Sequence, residues 1–240
     1  MPNRTPSLGS LVTRFKRRKQ LAVQDGYLSW LTFANAGMLH PGNLGLFQHA
    51  IEGAPPSGAI VEIGAFCGLS TNVLSYLLKK FEKTNLLYTC DRWRFEGSEQ
   101  GGFIGNGITH SAYRDYVKSS FVRNVEFFGG EPKPFAIEAL SDEFFELWRT
   151  RAALQDLFGR VVNLGGPIAL CYVDGNHTFE YAKRDFENCD EFLVAGGFVL
   201  FDDSEDGNRF GLTPLMREIE RSECYELVAK NPNYLFRKVK

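Results

Sequence analysis

Acidic side chains stand at the ends of two apolar runs in the second half of this 240-residue chain, and a histidine follows one of them. The run 168–173 leads into the tetrapeptide DGNH, which begins at Asp174 and ends at His177, and the run GGFVLF ends in Asp202 and Asp203. Carboxylate oxygens are the ligands that Mg²⁺ prefers, and an imidazole is suited to take a proton from an alcohol. The three aspartates are therefore candidate metal ligands, and His177 is a candidate general base.

Each of these residues also has a structural interpretation that needs no ligand. Asp202 and Asp203 would cap the loop that leads into Ser204, and His177 would cap the following helix or lie exposed to solvent. Taken together, the acids at two strand ends favour a cation, because three unpaired carboxylates in one place repel one another without it.

The elements that must position these residues alternate along the chain. Apolar runs at 59–63, 85–90, 167–173 and 197–201 predict buried strands, the segment NVEFF at 124–128 predicts another short strand, and helical patterns separate them. The closing segments YELVAK and YLFRKV predict a hairpin. This order predicts an α/β fold with a Rossmann-like, doubly wound, mostly parallel sheet and a C-terminal antiparallel hairpin.

Sheets of this class bind ligands beyond the carboxyl ends of their strands. Glu62 and Gly64 close the first predicted strand, and Asp91 closes the second. Gly64 and Gly68 bracket a turn where a ligand would approach the backbone closely, although packing alone also explains them. The turn does not match the GxGxxG dinucleotide pattern. An acid at position 91 suits the two hydroxyls of a ribose, although aspartates in such positions often only cap a turn.

These segments together carry a resemblance to a known family. EIGAFCGLS, the acid after LYTC, DGNH after the fourth strand and FDDS after the fifth resemble class I S-adenosylmethionine-dependent methyltransferases, and more narrowly the metal-dependent O-methyltransferases. The first segment is similar to that of catechol O-methyltransferase. DGNH and GGFVLFDD resemble the group that acts on sugars of macrolide and aminocoumarin antibiotics. The resemblance spans residues 40–205 and implies two cofactors, S-adenosyl-L-methionine and a divalent cation such as Mg²⁺.

The resemblance implies how the methyl donor would be held. Glu62 and Gly64 would lie against its methionine portion, and Asp91 would hold its ribose. Ser70, which follows Gly68, would bind the methionine carboxylate at a helix N-terminus, where free backbone N–H groups favour an anion.

Two further donor-binding residues are implied only by their place in the chain. Ser141 would stand near the adenine, and Asn43 belongs to an N-terminal segment that would close over the methionine portion.

The resemblance also implies the chemistry of transfer. Asp174, Asp202 and Asp203 would hold the cation, which would orient two acceptor hydroxyls, and His177 would take the proton of the reacting hydroxyl. The Gly-rich segment 92–110 would be a lid over the acceptor or ordinary packing.

Composition narrows the range of partners. With 44% hydrophobic residues, 23% charged residues and a net charge of −2, the chain is typical of a soluble globular protein, with no reason to expect nucleic acid or an acidic membrane as a partner. The basic run 14–20 lies in a predicted loosely ordered arm, 1–25. It is typical of a solvated face, although contact with an anionic partner is the alternative. One methyltransferase domain is predicted over 26–240, with a small-molecule acceptor as partner and a homo-oligomer left open.

Cysteine usage and the absence of targeting signals predict a cytoplasmic location. The five cysteines are widely spaced, without a CxxC pair, as reduced core cysteines are. No apolar stretch approaches the ~18 residues of a membrane span, and the N-terminus lacks the apolar core of a signal peptide.

The favoured function is a metal-dependent O-methyltransferase that acts on a small polyhydroxylated acceptor, either a sugar or a sugar-bearing natural product. One alternative is a metal-dependent enzyme for nucleotide sugars or phosphates, which would place basic residues in DGNHTFE and DDSEDG, yet both segments lack them. The other alternative is a binding protein that kept the fold without the chemistry. Such a protein would be expected to lose one of the four site residues.

Overall fold

The computed structural model describes residues 24–95, 98 and 102–240, so the basic run 14–20 and nearly all of the predicted N-terminal arm lie outside the described residues. The helices are α1 (Gly26–Ala34), α2 (Pro41–Gly53), α3 (Leu69–Lys80), α4 (His110–Phe128), α5 (Ser141–Arg149), α6 (Phe179–Asp190) and α7 (Thr213–Arg221). The strands are β1 (Ala59–Ile63), β2 (Leu87–Cys90), β3 (Phe103–Gly105), β4 (Ile108–Thr109), β5 (Phe135–Ile137), β6 (Ala153–Gln155), β7 (Val161–Asn163), β8 (Ile168–Val173), β9 (Leu193–Phe201), β10 (Tyr225–Lys230) and β11 (Tyr234–Lys238).

The main sheet has seven strands in the order β10-β11-β9-β8-β1-β2-β5. β1 pairs in parallel with both β2 and β8, β8 with β9, and β2 with β5. β11 runs antiparallel to β9 and to β10. The strand order reverses between β1 and β8, which is where sheets of this class open a ligand crevice. The predicted doubly wound sheet and closing hairpin are confirmed.

Helices cover both faces of this sheet. Every residue of β1 and β8 is buried, as the near-continuous apolar runs predict. Ile60 packs in one core cluster with Val73 of α3, while the next residue, Val61, packs in the opposite cluster with Trp148 of α5. This alternation follows from the two-residue period of a strand and fixes which side chains stay near the carboxyl edge.

The predicted strand at 124–128 is wrong. Residues 124–128 form the last turns of α4, and the third strand of the sheet is β5 instead. Val117, Phe121 and Val125 recur at a spacing of four and are all buried, so one apolar stripe continues through the segment. The Asn124 side chain donates to the carbonyl oxygen of Cys67 over 2.8 Å and ties the helix to the turn after β1.

Two small hairpins lie outside the main sheet. β6 and β7 pair within 150–165, and β3 and β4 pair within 92–110. Trp93 is buried, and its indole N–H donates to the carbonyl oxygen of Phe66 over 2.8 Å, so this aromatic residue serves packing. Phe103 is exposed. A lid role for the rest of the segment, of which residues 96, 97 and 99–101 lie outside the described residues, stays a prediction.

The cysteines are free, and all except Cys224 are buried. None of the helices in the described part of the chain has the length and apolar character that crossing a bilayer requires.

Candidate functional site

Gly64, Asp91, Asp174 and Asp202 lie in one row across the carboxyl edge of the sheet. Each residue directly follows a strand, and its backbone N–H still donates to the neighbouring strand over 2.9 to 3.2 Å. The backbone hydrogen bonding of the sheet therefore continues one residue beyond each strand, so these four residues stay aligned across the edge of the sheet. The acids that the sequence places at separate strand ends are brought to one edge, beside the switch point.

Asp174 and Asp202 are neighbours in this row, because each follows one of the paired strands β8 and β9. Burial, and next the negative charge of Asp202, raise the pKa of Asp174 well above its usual value, while a hydrogen bond from the Tyr172 hydroxyl opposes the rise. Two carboxyl groups this close cannot both ionise cheaply, so the pair holds a shared proton or requires a cation.

The other oxygen contacts of Asp202 come from neutral amides. Its Oδ1 accepts from the side-chain N–H groups of Asn43 and of Asn233, the latter over 2.8 Å. Asn233 also donates to Asn43 Oδ1 over 2.9 Å, and all three side chains are buried. Asn43, predicted to close over the methionine portion of the donor, thus lies against a predicted metal ligand.

Asn233 and Tyr172 are site residues that the sequence does not disclose. Asn233 belongs to an Asn-Pro-Asn turn, which is typical of any hairpin, and Tyr172 is one more apolar position in a buried strand. Their proximity to Asp202 and Asp174 exists only in the folded chain.

His177 lies between the acids of the two strand ends. Its Nε2 is 3.9 Å from Asp174 Oδ1 and 3.7 Å from Asp203 Oδ2. Both separations exceed the length of a direct hydrogen bond. The ring of Phe210 stands 5.0 Å from the imidazole, centroid to centroid, and forms one wall of this corner.

Asp203 reaches His177 because the chain turns sharply after β9. Its φ of +47° lies in the left-handed region, which aspartate tolerates better than most residues. Burial raises the pKa of Asp203, and the charge of His177 opposes this effect. Among the described residues, no three His, Cys, Asp or Glu side chains already form a metal-holding group, so the cation stays a prediction.

Glu62 is buried at the end of β1, beside the helix that follows. One of its oxygens accepts from the hydroxyl of Thr71, and the Ser70 hydroxyl lies next to it. The other oxygen, Oε1, has no hydrogen-bond partner among the described residues. Burial raises the pKa of Glu62 to about 7, with the hydroxyls of Ser70 and Thr71 opposing the rise and the charge of Asp91 adding to it.

Asp91 organises the turn after β1. Its Oδ2 accepts from the backbone N–H groups of Ala65 and Phe66, each over 2.9 Å, and its Oδ1 accepts from that of Trp93. Burial raises the pKa of Asp91, and these three donors oppose the rise. A carboxylate has about four acceptor positions, so room remains for a ribose hydroxyl. The turn ends at Gly68, which caps α3 with a φ of +84°.

Ser141 begins α5, and its hydroxyl lies near Asp185 of α6. Burial raises the pKa of Asp185 to about 7, and the Ser141 hydroxyl opposes the rise. The Oδ1 of Asp185 has no partner among the described residues. Ser141 is thus tied to a buried acid that the sequence does not single out, and its predicted contact with adenine stays untested.

Comparison with known proteins shows which protein family this chain belongs to. The sequence model of a family described as a methyltransferase domain matches residues 61–204, which include the row of strand ends and the acids at 202 and 203. The chain belongs to this methyltransferase family. The recognition of a methyltransferase from its sequence is therefore confirmed.

Solved structures share the fold of this methyltransferase. The O-methyltransferase TomG from Streptomyces achromogenes, involved in tomaymycin synthesis and solved in complex with SAM, is 14% identical with a TM-score of 0.55, and the alignment covers 92% of each chain. The O-methyltransferase NovP is 13% identical with a TM-score of 0.55, covering 86% of this chain and 84% of its own. CalS11, a TDP-rhamnose 3′-O-methyltransferase of calicheamicin biosynthesis, is 17% identical with a TM-score of 0.51, covering 81% and 77%. Identities this low establish the fold alone.

Proposed function

We propose that this methyltransferase moves a methyl group from S-adenosyl-L-methionine to a hydroxyl of a small polyhydroxylated acceptor, a sugar or a sugar-bearing natural product, with the aid of a divalent cation. One observation carries the proposal: His177 stands within 4 Å of both Asp174 and Asp203, beside the Asp174–Asp202 pair. A base and three acids at the switch point are the groups that metal-assisted methylation of an alcohol needs.

The donor chemistry of the acids fits a hard cation. All the candidate ligands are oxygens, and among the described residues no lysine or arginine forms a salt bridge with Asp174 or Asp202. Asp174, Asp202 and Asp203 would hold the ion. When bound, a divalent ion supplies a lower pKa for the acceptor hydroxyl and a fixed place for its oxygen.

The chain's own residues would perform the rest of the step. His177 Nε2 would accept the hydroxyl proton, with Asp174 and Asp203 stabilising the imidazolium that results. Phe210 would keep water from this corner and support one side of the acceptor. Methyl transfer itself proceeds in line from sulfur to oxygen, so positioning the two reactants contributes most of the acceleration.

The groups near β1 fit the methyl donor. The unpartnered Oε1 of buried Glu62 would be satisfied by the ammonium group of a methionine moiety. The N-terminus of α3, at Gly68 and Ser70, would take its carboxylate, and the remaining acceptor position of Asp91 would take a ribose hydroxyl. The predicted roles of Asn43 and Ser141 toward the donor stay part of this proposal on their position alone.

One neighbour supports the choice of a sugar as acceptor. CalS11 is described as a TDP-rhamnose 3′-O-methyltransferase, so the same fold supports methylation of a sugar hydroxyl there. NovP is described as an O-methyltransferase. The acid-lined corner beside His177 is chemically suited to a vicinal diol, in which two hydroxyl oxygens would share one cation.

Calorimetry and a transfer assay test the proposal together. S-adenosyl-L-methionine should bind the purified protein, and labelled methyl groups should pass to members of a panel of sugars and diols when Mg²⁺ is present. EDTA should stop transfer, and excess Mg²⁺ should restore it. Failure to bind the donor would overturn the function, while equal transfer in EDTA and in Mg²⁺ would overturn the metal dependence.

A further inference from the structure

We propose that Asn233, in the turn of the C-terminal hairpin, is a positioning residue that fixes the Asp202 carboxylate for the cation, so that the hairpin forms part of the metal-binding apparatus. The inference rests on the proposed function, because it presupposes a cation at Asp202. It concerns a residue outside the segments that resemble the family and outside the matched residues 61–204.

Both polar atoms of the Asn233 side chain form hydrogen bonds with buried groups of the protein. Its Oδ1 accepts from the backbone N–H of Ser204 over 3.0 Å. Its Nδ2 donates to Asp202 Oδ1 over 2.8 Å and to Asn43 Oδ1 over 2.9 Å. An amide nitrogen has two N–H donors, and both are used here, so the side chain is held in one orientation.

This arrangement constrains Asp202 in the way a metal ligand requires. Asn233 and Asn43 both donate to Oδ1, which prevents free rotation of the carboxylate while the group stays in contact with Asp174. Both donors are neutral amides. A lysine or arginine in their place would neutralise the carboxylate and compete with a cation, whereas an amide leaves the negative charge available.

The hairpin turn is anchored on two other segments, which makes it a rigid support. The backbone N–H of Tyr234 donates to Ser204 Oγ over 2.9 Å, and Ser204 Oγ donates to the carbonyl oxygen of Phe201 over 2.8 Å. On the other side, a Cβ atom on Gly42 would lie 1.7 Å from the carbonyl oxygen of Asn231, so the turn sits directly against the start of α2. The loop after β9, α2 and the hairpin thus meet at Asp202.

Binding of Mn²⁺, used in place of Mg²⁺ and followed by electron paramagnetic resonance, tests this role without an assay of transfer. Asn233→Ala should weaken Mn²⁺ binding by about tenfold or more, the usual effect of losing a hydrogen bond to a metal-ligating carboxylate. Binding of S-adenosyl-L-methionine should change much less than binding of Mn²⁺, since Asn43 alone among the groups proposed to hold the donor is hydrogen-bonded to the Asn233 side chain. Asn231→Ala is the matched control, because Asn231 belongs to the same turn and its side chain donates to Gly42, not to Asp202.

Each outcome decides a separate question. Unchanged Mn²⁺ affinity in a folded Asn233→Ala protein would overturn the positioning role, as would an equal loss in Asn231→Ala. Failure of the wild-type protein to bind Mn²⁺ would overturn the proposed cation itself. If Asn233→Ala does not fold, Asn233→Ser keeps a polar side chain in the turn, but its one shorter hydroxyl cannot replace the two amide donors. This variant should also weaken Mn²⁺ binding, and unchanged affinity in it would overturn the inference.

Discussion

A Cβ atom added to Gly64 would lie 2.0 Å from the carbonyl oxygen of Asp174. The turn after β1 and the residue after β8 are therefore in direct backbone contact. Gly64 has a φ of +87° at this contact. Packing accounts for this glycine without any ligand, as the sequence left open. The contact nevertheless sets the proposed donor site directly beside the proposed cation site, which is the arrangement that methyl transfer needs.

Gly64→Ala should destabilise the protein by about 3 kcal/mol or more, because a left-handed conformation and a backbone clash are both imposed on the new side chain. Urea unfolding measures the loss. Gly159→Ala is the matched control, since Gly159 has a φ of +74° with nothing within 4 Å of its added Cβ, and it should cost about 1 kcal/mol. Equal losses in the two variants would show that the contact with Asp174 is not tight.

Asp202→Asn should reduce Mg²⁺-stimulated transfer by about a hundredfold or more, because it removes one of the charges proposed to hold the ion while keeping the shape of the side chain. Binding of S-adenosyl-L-methionine, followed by calorimetry, should be largely retained. Glu205→Gln, a charge change on the same loop at a residue not proposed as a ligand, should change the rate far less than Asp202→Asn, although the Glu205 charge acts on Asp203. Full metal-stimulated turnover in Asp202→Asn would count against the metal site.

His177→Ala should slow the chemical step by about 10²- to 10⁴-fold and change the shape of its pH profile, as removal of a general base does. Single-turnover rates across the neutral pH range measure both effects. His49→Ala is a control on an exposed face of α2, where the imidazole contacts Phe198 away from the acids. A slowed variant with an unaltered pH profile would remove His177 as the base.

Glu62→Gln should change how stability depends on pH. The folded carboxyl has a pKa of about 7, above its ordinary value of 4.5, so the folded state holds a proton that the unfolded chain releases. The stability that this proton provides is complete below pH 4.5 and is lost as the pH rises to 7, by about 3 kcal/mol. Relative to the wild type, the variant should therefore gain stability over this interval in urea unfolding.

The comparison between the wild type and Glu62→Gln is needed because Asp185 behaves in the same direction. Its pKa is also about 7, so its contribution to the stability of the folded protein is likewise lost as the pH rises toward 7. Asp185→Asn, measured in parallel, should remove a separate part of the pH dependence. A constant difference between wild type and Glu62→Gln at all pH values would show that folding does not shift the pKa of Glu62.

The wrong prediction of a strand at 124–128 shows that a short sequence pattern does not decide between strand and helix. Val125 and Phe127 alternate with polar residues over this short stretch, as a strand does, yet the longer stripe from Val117 through Phe121 to Val125 is helical. A short window supports both periods, and packing of α4 against the turn after β1 favours the helix. The short strands of β5 and of the small hairpins carry too few residues to show a period.

The site was predictable in part for a topological reason. Acids that follow apolar strands of a parallel sheet must emerge at the same edge, so Asp91, Asp174 and Asp202 could be grouped without coordinates. No sequence pattern predicts the hydrogen bond between Asn233 and Asn43, which is 190 residues away. A hydrogen bond between distant segments depends on how helices and loops pack against the sheet, and no local pattern encodes that.

By itself, the sequence determined the alternation of buried strands and helices, the edge at which the acids emerge and membership of a methyltransferase family, because strand periodicity and strand ends are local properties of the chain. Tertiary structure alone decided which oxygen meets which donor. The contact of Gly64 with Asp174, the position of His177 between two acids and the amides on Asp202 each join segments far apart in the chain, and such distances are set by close packing of the whole core.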